Sequence, residues 1–177
     1  KIKSELGSVE MTKQDSGVAW GSLHWQYLED MSKVTPHTAT PLRLSKEIYI
    51  RENEKIGKVL KPIDRDLKPG DELLVRLILR TDRDMEFVHL KDQRGSGTEP
   101  VNVLSRYKYQ DGLAYYESTR DASSHFFIDY LTKGTYVFEY PVKIFHRGRY
   151  QTGIANIQSM YAPEFNSHSA SQWLEVK

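Results

Sequence analysis

The chain has 177 residues, the size of one domain or of one domain with part of a neighbour. Its 25 basic and 24 acidic side chains leave a net charge of +1, which gives no reason to expect a nucleic-acid partner. The apolar runs are far shorter than the ~20 residues of a membrane-spanning helix. The absence of cysteine excludes disulfides, thiolate metal ligands and a cysteine nucleophile in these residues.

The first part of the chain predicts a β-hairpin followed by a linker. Residues 7–13 alternate between apolar and polar side chains, and after a turn signal the alternation resumes over residues 18–28. Residues 29–41 are polar, contain two prolines and lack periodicity, which is typical of a linker. We therefore expect a boundary here, with residues 1–35 and residues 36–177 in separate units.

After the linker the sequence predicts a series of strands. The strongest covers residues 73–80, which follow a Pro-Gly-Asp turn and present a wholly apolar face of Leu73, Val75, Leu77 and Leu79. Residues 42–51 alternate too, with one face made of Leu42, Leu44, Lys46, Ile48 and Ile50. Asp-Gly and Lys-Gly turns at residues 111–112 and 133–134 predict two more hairpins. The pattern predicts an all-β fold, an antiparallel β-sandwich of the immunoglobulin-like type with ~7–9 strands and an extra N-terminal hairpin.

Motifs for catalysis, metal binding or nucleotide binding are not found in the sequence. No GxSxG nucleophile motif occurs, and Gly95-Ser96-Gly97 lacks the lysine of a phosphate loop. Two Asp-Arg-Asp triplets, at residues 64–66 and 82–84, predict self-neutralised turns rather than calcium loops. We therefore expect no enzymatic activity, no cofactor and no metal. The six histidines lack the spacing of metal pairs and are interpreted as scattered surface or half-buried residues: His24, His37, His89, His125, His146 and His168.

One predicted hairpin is rich in tyrosine, with Tyr107, Tyr109, Tyr115 and Tyr116 on its two strands. Sandwich domains that bind sugars often present such aromatic platforms. Core packing and cross-strand aromatic pairs explain the same pattern without a ligand. The sequence therefore leaves an alternative function open, that of a carbohydrate-binding or adhesion module of a secreted protein.

Three stretches, in this order, resemble a known family. They lie within residues 17–27, 67–102 and 133–164, and the last ends in Met160-Tyr161-Ala162-Pro163-Glu164. Together they resemble the C-terminal end of bacterial alpha-2-macroglobulin-like proteins, in which a Pro-Gly-Asp turn opens a strand and an MYxPE motif closes the last domain. One loop departs from the family, because Asp92-Gln93-Arg94-Gly95 stands where a proline-rich stretch is usual.

The resemblance implies a macroglobulin-like domain of a large periplasmic, cell-surface or secreted protease inhibitor. In that family a protease cuts a bait segment and is then trapped, in many members through a Cys–Gln thioester. Residues 36–177 would be the C-terminal macroglobulin-like domain, and residues 1–35 the tail strands of the preceding, thioester-flanking region. The implied partners are the other domains of the same parent chain and, through the full-length protein, target proteases. The start at Lys1, without an initiator Met, is consistent with a piece of a longer protein.

The resemblance also implies a role for Met160 and Tyr161. In bacterial relatives the tyrosine of the MYxPE motif, with its neighbouring methionine, covers the thioester of the uncut protein. A tyrosine ring can exclude the water that would hydrolyse a thioester. In a parent protein without a thioester, Tyr161 would instead be an interdomain packing residue. In both cases we expect its ring to be exposed in this chain.

Overall fold

A computed structural model describes residues 9–23, 26–54 and 57–177. This part of the chain contains one short 3₁₀ turn, Met31–Lys33, and no α-helix, and none of it could cross the membrane as a helix. The strands are β1 (Leu42–Glu54), β2 (Gly57–Lys61), β3 (Glu72–Thr81), β4 (Met85–Gln93), β5 (Thr98–Pro100), β6 (Arg106–Gln110), β7 (Leu113–Thr119), β8 (Ser123–Leu131), β9 (Gly134–Ile144), β10 (Gly148–Gln151), β11 (Ala155–Ser159), β12 (Asn166–His168) and β13 (Trp173–Val176).

The strands form two large sheets and one small one. The larger sheets have the orders β2-β1-β3-β9-β5 and β12-β11-β4-β8-β7-β6, and β10 pairs with β13. All of these ladders are antiparallel. This confirms the predicted antiparallel sandwich. There are thirteen strands in the described residues rather than ~7–9, partly because β5, β10 and β12 have only three or four residues, too few to show periodicity in the sequence.

The core lies between the inner faces of the two large sheets, and β3 is at its centre. Strand β3 runs between β1 and β9, and its inward side chains Leu73, Leu77 and Leu79 are fully buried, as the alternation predicted. Aromatic rings link the layers, since Phe126 of β8 lies 5.1 Å, centroid to centroid, from Phe138 of β9. The apolar face read from the sequence is therefore the inner surface of the sandwich.

Three polar side chains meet inside this core. Lys46 on β1 donates a hydrogen bond to Asp92 on β4 at 2.6 Å, and the hydroxyl of Tyr140 on β9 donates to the second oxygen of the same carboxylate. The ammonium group also donates to the backbone carbonyls of Gln93 and Thr152, each at 3.0 Å. The side chains of Lys46 and Asp92 are only 3% and 0% exposed. Burial raises the pKa of Asp92, and the positive charge of Lys46 opposes that rise.

The predicted N-terminal hairpin, including the expected tail strands, does not form in the described residues. No strand lies within residues 9–23 or 26–35, and the parts of the prediction at residues 7–8 and 24–25 fall outside the described residues. The described apolar side chains of residues 9–28 are exposed, and Trp20 is 93% exposed. Alternation is not sufficient here, because a strand needs a neighbouring strand for its hydrogen bonds and a surface to cover its apolar face.

Replacing Leu77 with alanine tests the assignment of the inner face of β3. Leu77 is fully buried, whereas its neighbour Ile78 is on the outer face and only partly buried. We expect Leu77→Ala to lower the free energy of unfolding by ~2–5 kcal/mol, through lost burial and the cavity left behind. Ile78→Ala, the matched control, should cost less. Urea unfolding measures both, and a loss below ~0.5 kcal/mol for Leu77→Ala would show that the face is misassigned.

Replacing Lys46 with methionine tests the buried ion pair. The variant leaves the Asp92 carboxylate buried without its counter-charge, which should lower the free energy of unfolding at neutral pH by ~3–5 kcal/mol. The pKa of Asp92 in the folded variant then lies above that of the unfolded chain, so folding favours the protonated acid. The loss should therefore shrink as the pH falls towards about 4, the pKa of an unfolded aspartate.

The double variant Lys46→Met/Asp92→Asn buries no charge and serves as the control. It should be more stable than Lys46→Met at neutral pH and should not recover stability on acidification. Denaturant unfolding at two pH values measures both effects. A double variant as unstable as the single one would mean that packing, rather than the unpaired charge, sets the loss.

Candidate interdomain docking site

The loop of residues 160–165 connects β11 to β12 at one end of the sandwich. Its first residue is tied to the neighbouring strand, because the Met160 backbone N–H donates to the carbonyl of Phe87 at 2.9 Å. A bond from the Phe165 N–H to the carbonyl of Ala162, also 2.9 Å, closes a turn within the loop. The loop shape is therefore fixed by main-chain hydrogen bonds.

Met160 and Tyr161, the two residues singled out by the MYxPE motif, lie on the outside of this loop. Their side chains are 60% and 82% exposed. The ring of Tyr161 meets the ring of Phe87 edge to face, with centroids 5.2 Å apart and planes at 83°. Its hydroxyl has no hydrogen bond to any described residue. Phe87 thus holds the ring in place while its outer surface stays available.

Phe87 itself has an unusual backbone conformation. Its φ of 51° lies in the left-handed region, which bulky side chains rarely adopt. The β4–β8 ladder pairs the residues on either side of Phe87 but skips Phe87, whose side chain is 44% exposed. Such a conformation costs roughly 1–3 kcal/mol and is found mostly at functional sites. The sequence predicted only a strand here, because nothing about a phenylalanine signals positive φ.

A surface depression of about 590 Å³ lies beside this aromatic pair, lined in part by Arg83, Phe87, Tyr130, Tyr161 and Phe165. Asp84 organises its rim by accepting hydrogen bonds from the Lys133 backbone N–H at 2.7 Å and from the Tyr130 hydroxyl at 3.0 Å. The hydrogen bond from the Lys133 backbone N–H has the larger effect in lowering the pKa of Asp84, and the bond from the Tyr130 hydroxyl lowers it further. The Arg83 guanidinium lies 5.6 Å from the centroid of the Phe165 ring. Apolar rings and a cation thus meet at this end of the sandwich.

The two Asp-Arg-Asp triplets differ from each other in the structure. Arg83 pairs with its neighbour Asp82 at 2.9 Å, as a self-neutralised turn predicts. Arg65 instead reaches Glu52 at 3.0 Å and Asp71 at 2.9 Å, so its charge is neutralised by other elements and not by its own triplet. That prediction was wrong for Arg65, because pairing across the fold is not visible in a local motif.

Two of the histidines interpreted as scattered are hydrogen-bonded to each other. His89 Nε2 on β4 lies 2.9 Å from His125 Nδ1 on β8, and Ser123 Oγ lies 2.9 Å from the other ring nitrogen of His125. The Phe127 ring stacks on His89 with centroids 4.6 Å apart. The histidines are 36 residues apart, so only the β4–β8 register reveals the pair. Among the described residues, which exclude His24, no group of three or more potential ligands could hold a metal ion.

The histidine pair predicts a pH dependence of stability. Burial lowers the pKa of His89 and of His125, and the nearby charge of Lys91 lowers both further. Because an unfolded histidine has a pKa of about 6.5, folding favours the neutral rings, and this stabilisation is lost as the pH falls below that value. We expect the free energy of unfolding to drop more between about pH 7 and pH 5 in the native sequence than in His89→Gln/His125→Gln. Denaturant unfolding at several pH values measures this drop, and an equal drop in the native sequence and in the double variant would contradict the prediction.

The tyrosine-rich hairpin forms, but its four tyrosines do not share one surface. Tyr107 and Tyr109 on β6 are each 77% exposed, and Tyr116 on β7 packs on Tyr107 with centroids 4.9 Å apart. Tyr115 points inward, is 4% exposed and contacts Phe138 edge to face. Successive residues of a strand face opposite sides, so the four tyrosines cannot form one platform. Core packing and a cross-strand pair account for Tyr115, Tyr107 and Tyr116.

Solved structures share this arrangement of sheets. A tyrosine-to-glycine mutant of Salmonella alpha-2-macroglobulin matches with a TM-score of 0.62 at 21% identity, over 82% of this chain and 10% of that protein. Escherichia coli alpha-2-macroglobulin from domain MG7 to the C-terminus matches with a TM-score of 0.62 at 18% identity, over 82% of this chain and 25% of that structure. The Escherichia coli protein activated by porcine elastase matches with a TM-score of 0.63 at 22% identity, over 81% of this chain and 14% of that structure. The fold is therefore that of a macroglobulin-type β-sandwich domain.

The family model of the bacterial alpha-2-macroglobulin MG10 domain matches residues 42–164. The chain belongs to this family, which confirms the resemblance drawn from the three sequence stretches. It spans only 10% to 25% of the length of the three structures compared above. No curated protein sequence matches it.

Proposed function

We propose that this chain acts without catalysis as the C-terminal macroglobulin-like domain, residues 36–177, of a bacterial protease trap, preceded by residues 1–35 from the thioester-flanking region. The observation that carries the proposal is the exposure of Met160 and Tyr161, at 60% and 82%, on an anchored loop. A free-standing domain avoids adjacent exposed apolar side chains of this kind. Methionine and aromatic residues are enriched in protein interfaces. The loop is thus suited to dock against another domain of the parent chain.

The named relatives support the protease-trap part of the proposal. Escherichia coli alpha-2-macroglobulin has been crystallised after activation by trypsin and also solved after activation by porcine elastase. The Salmonella protein has been crystallised after reaction with methylamine, and amines cleave thioesters. For the parent of this chain we propose the same kind of encounter with proteases, in the periplasm or at the cell surface.

Within this function Tyr161 covers a thioester of the parent protein where one is present, and otherwise packs against the docked domain. Its edge contact with Phe87 orients the ring before docking, so little side-chain freedom is lost on binding. Its free hydroxyl can form a hydrogen bond to the partner. A thioester beneath such a ring is kept from water and from small nucleophiles.

Tyr161→Ala in a parent protein with a Cys-x-x-Gln thioester tests this role. We expect methylamine to release the thiol at least about tenfold faster, which corresponds to ~1.4 kcal/mol of lost protection. Tyr161→Phe keeps the ring and should react at close to the native rate. The control is Tyr109→Ala, which removes an equally accessible tyrosine, 77% exposed, from the distant hairpin. Native rates for both alanine variants would remove the shielding role.

For a parent protein without a thioester, amide hydrogen exchange provides the test of docking. The amides of residues 160–165 should exchange more slowly in the intact parent than in the 177-residue chain, and Tyr161→Ala should abolish that difference. Tyr109→Ala should leave it unchanged. Identical exchange in the chain and in the parent would contradict an interface at this loop.

A further inference from the structure

A cluster of three positively charged side chains without ion pairs to the described residues lies next to the docking loop. Arg43 on β1, Arg80 on β3 and Lys133 in the β8–β9 turn line a depression of about 410 Å³. All three side chains are exposed, and none has an ion pair or side-chain hydrogen bond with a described residue. The depression shares the β3–β4 turn with the one beside Tyr161, since Asp82 lines one and Arg83 the other. The two surfaces are therefore continuous.

The register of the sheet forces two of these charges together. Arg43 and Arg80 are directly opposite each other in the β1–β3 ladder, and both point outward. Side chains in such a pair have Cβ atoms about 4.5–5.5 Å apart, and like charges there are destabilising. The carboxylate that lines this depression belongs to Asp82 and is already paired with Arg83 at 2.9 Å. Neither Arg43 nor Arg80 forms an ion pair with a carboxylate of the described residues.

The other arginines on the same face of the sheet form ion pairs with carboxylates. Arg51 on β1 pairs with Glu72 at 2.7 Å, and Arg76 on β3 pairs with Glu139 at 2.6 Å. These arginines lie on the same two strands as Arg43 and Arg80 and also face outward. Cross-strand carboxylates thus neutralise the arginines in the rest of this face, and the end beside the docking loop is the exception.

We propose that the Arg43–Arg80–Lys133 cluster binds carboxylates of the domain that docks against Tyr161. This rests on the proposed function, because it takes the 160–165 loop as part of the same interface. Exposed methionine and aromatic side chains beside arginine have the composition of protein interfaces. A free anion would need no apolar neighbour, so the occupant is an acidic protein surface.

Carboxylates suit this cluster for physical reasons. A guanidinium group can hold a carboxylate through two parallel charge-assisted hydrogen bonds. A carboxylate between Arg43 and Arg80 would turn a repulsive pair into an attractive trio. Complementary charge next to an apolar contact also fixes the orientation in which two surfaces meet. The docked state should therefore weaken as the salt concentration rises.

Zero-length cross-linking of the intact, uncut parent protein tests the proposal. A carbodiimide activates a carboxylate, the amine of Lys133 attacks it, and an amide forms as the reagent leaves as its urea. The product forms only where the two groups touch, and mass spectrometry of the digest identifies both residues. We expect Lys133 to be joined to an aspartate or glutamate outside residues 36–177.

Matched variants show whether the cluster as a whole is responsible. Arg43→Gln/Arg80→Gln should reduce the yield of this product several-fold. Arg51→Gln/Arg76→Gln removes the same number of charges from the same strands and face, outside the cluster, and should leave the yield unchanged. Equal losses in the two double variants would show a general charge effect and overturn the assignment.

Cross-links from Lys133 only to acidic side chains within residues 36–177, or no cross-link at Lys133, would also overturn the proposal. Either result is expected if the cluster binds a nucleic acid or a membrane instead. The Tyr161→Ala experiments separate the two proposals. If Tyr161→Ala disrupts docking and Lys133 finds no outside carboxylate, the docking function stands and the acidic partner is wrong. If Tyr161→Ala has no effect and Lys133 still joins an outside carboxylate, the acidic neighbour stands and the role of the loop is wrong.

Discussion

The buried ion pair of Lys46 and Asp92 constrains the whole sandwich. Removing two charges from water costs several kcal/mol for each, and this is offset only if their hydrogen-bonding groups find partners inside. The Lys46 ammonium donates hydrogen bonds to Asp92 and to the carbonyls of Gln93 and Thr152, and the Tyr140 hydroxyl donates to the second carboxylate oxygen of Asp92. These groups come from both large sheets and from the segment after β10. A slip of one residue in β1 or β4 would turn a charge outward and leave its partner buried alone.

The same strands carry this constraint to the docking end. Strand β1 carries both Lys46 and Arg43, which are about 10 Å apart at 3.3 Å per residue. Strand β4 carries both Asp92 and Phe87, about 17 Å apart by the same measure. Once the ion pair fixes the position of the two strands, the residues at their ends are fixed too. The strained backbone of Phe87 is then tolerated, because the ladders on either side of it are held in place.

The sequence allows the layers of the fold to be predicted, because alternation and turn residues are local properties. The fully apolar face of β3 is such a case, and the MYxPE motif located Tyr161 through family resemblance alone. For the buried ion pair, the sequence indicated only one of the two residues, namely Lys46 on an otherwise apolar face of β1. Its partner Asp92 is 46 residues away, so no spacing could identify it. The contact of His89 with His125 and the repulsion of Arg43 and Arg80 likewise depend on register between strands. The N-terminal hairpin was predicted from a clear local pattern, but no surface of the described residues covers its apolar side chains.

The neighbouring aromatic and cationic surfaces also bear on which contacts are avoided. An exposed tyrosine beside a phenylalanine and a methionine would, on its own, favour association between copies of the domain. In a two-fold contact each copy presents the same patch, so such a pairing through Tyr161 would bring two cationic clusters close together. Three positive charges on each side would then oppose the apolar attraction, least effectively at high salt. An acidic partner meets the opposite situation, since both the ring and the cluster favour it. Charge at this end of the sandwich thus separates the proposed partner from a second copy of the same domain, while the apolar contact supplies affinity that both would share.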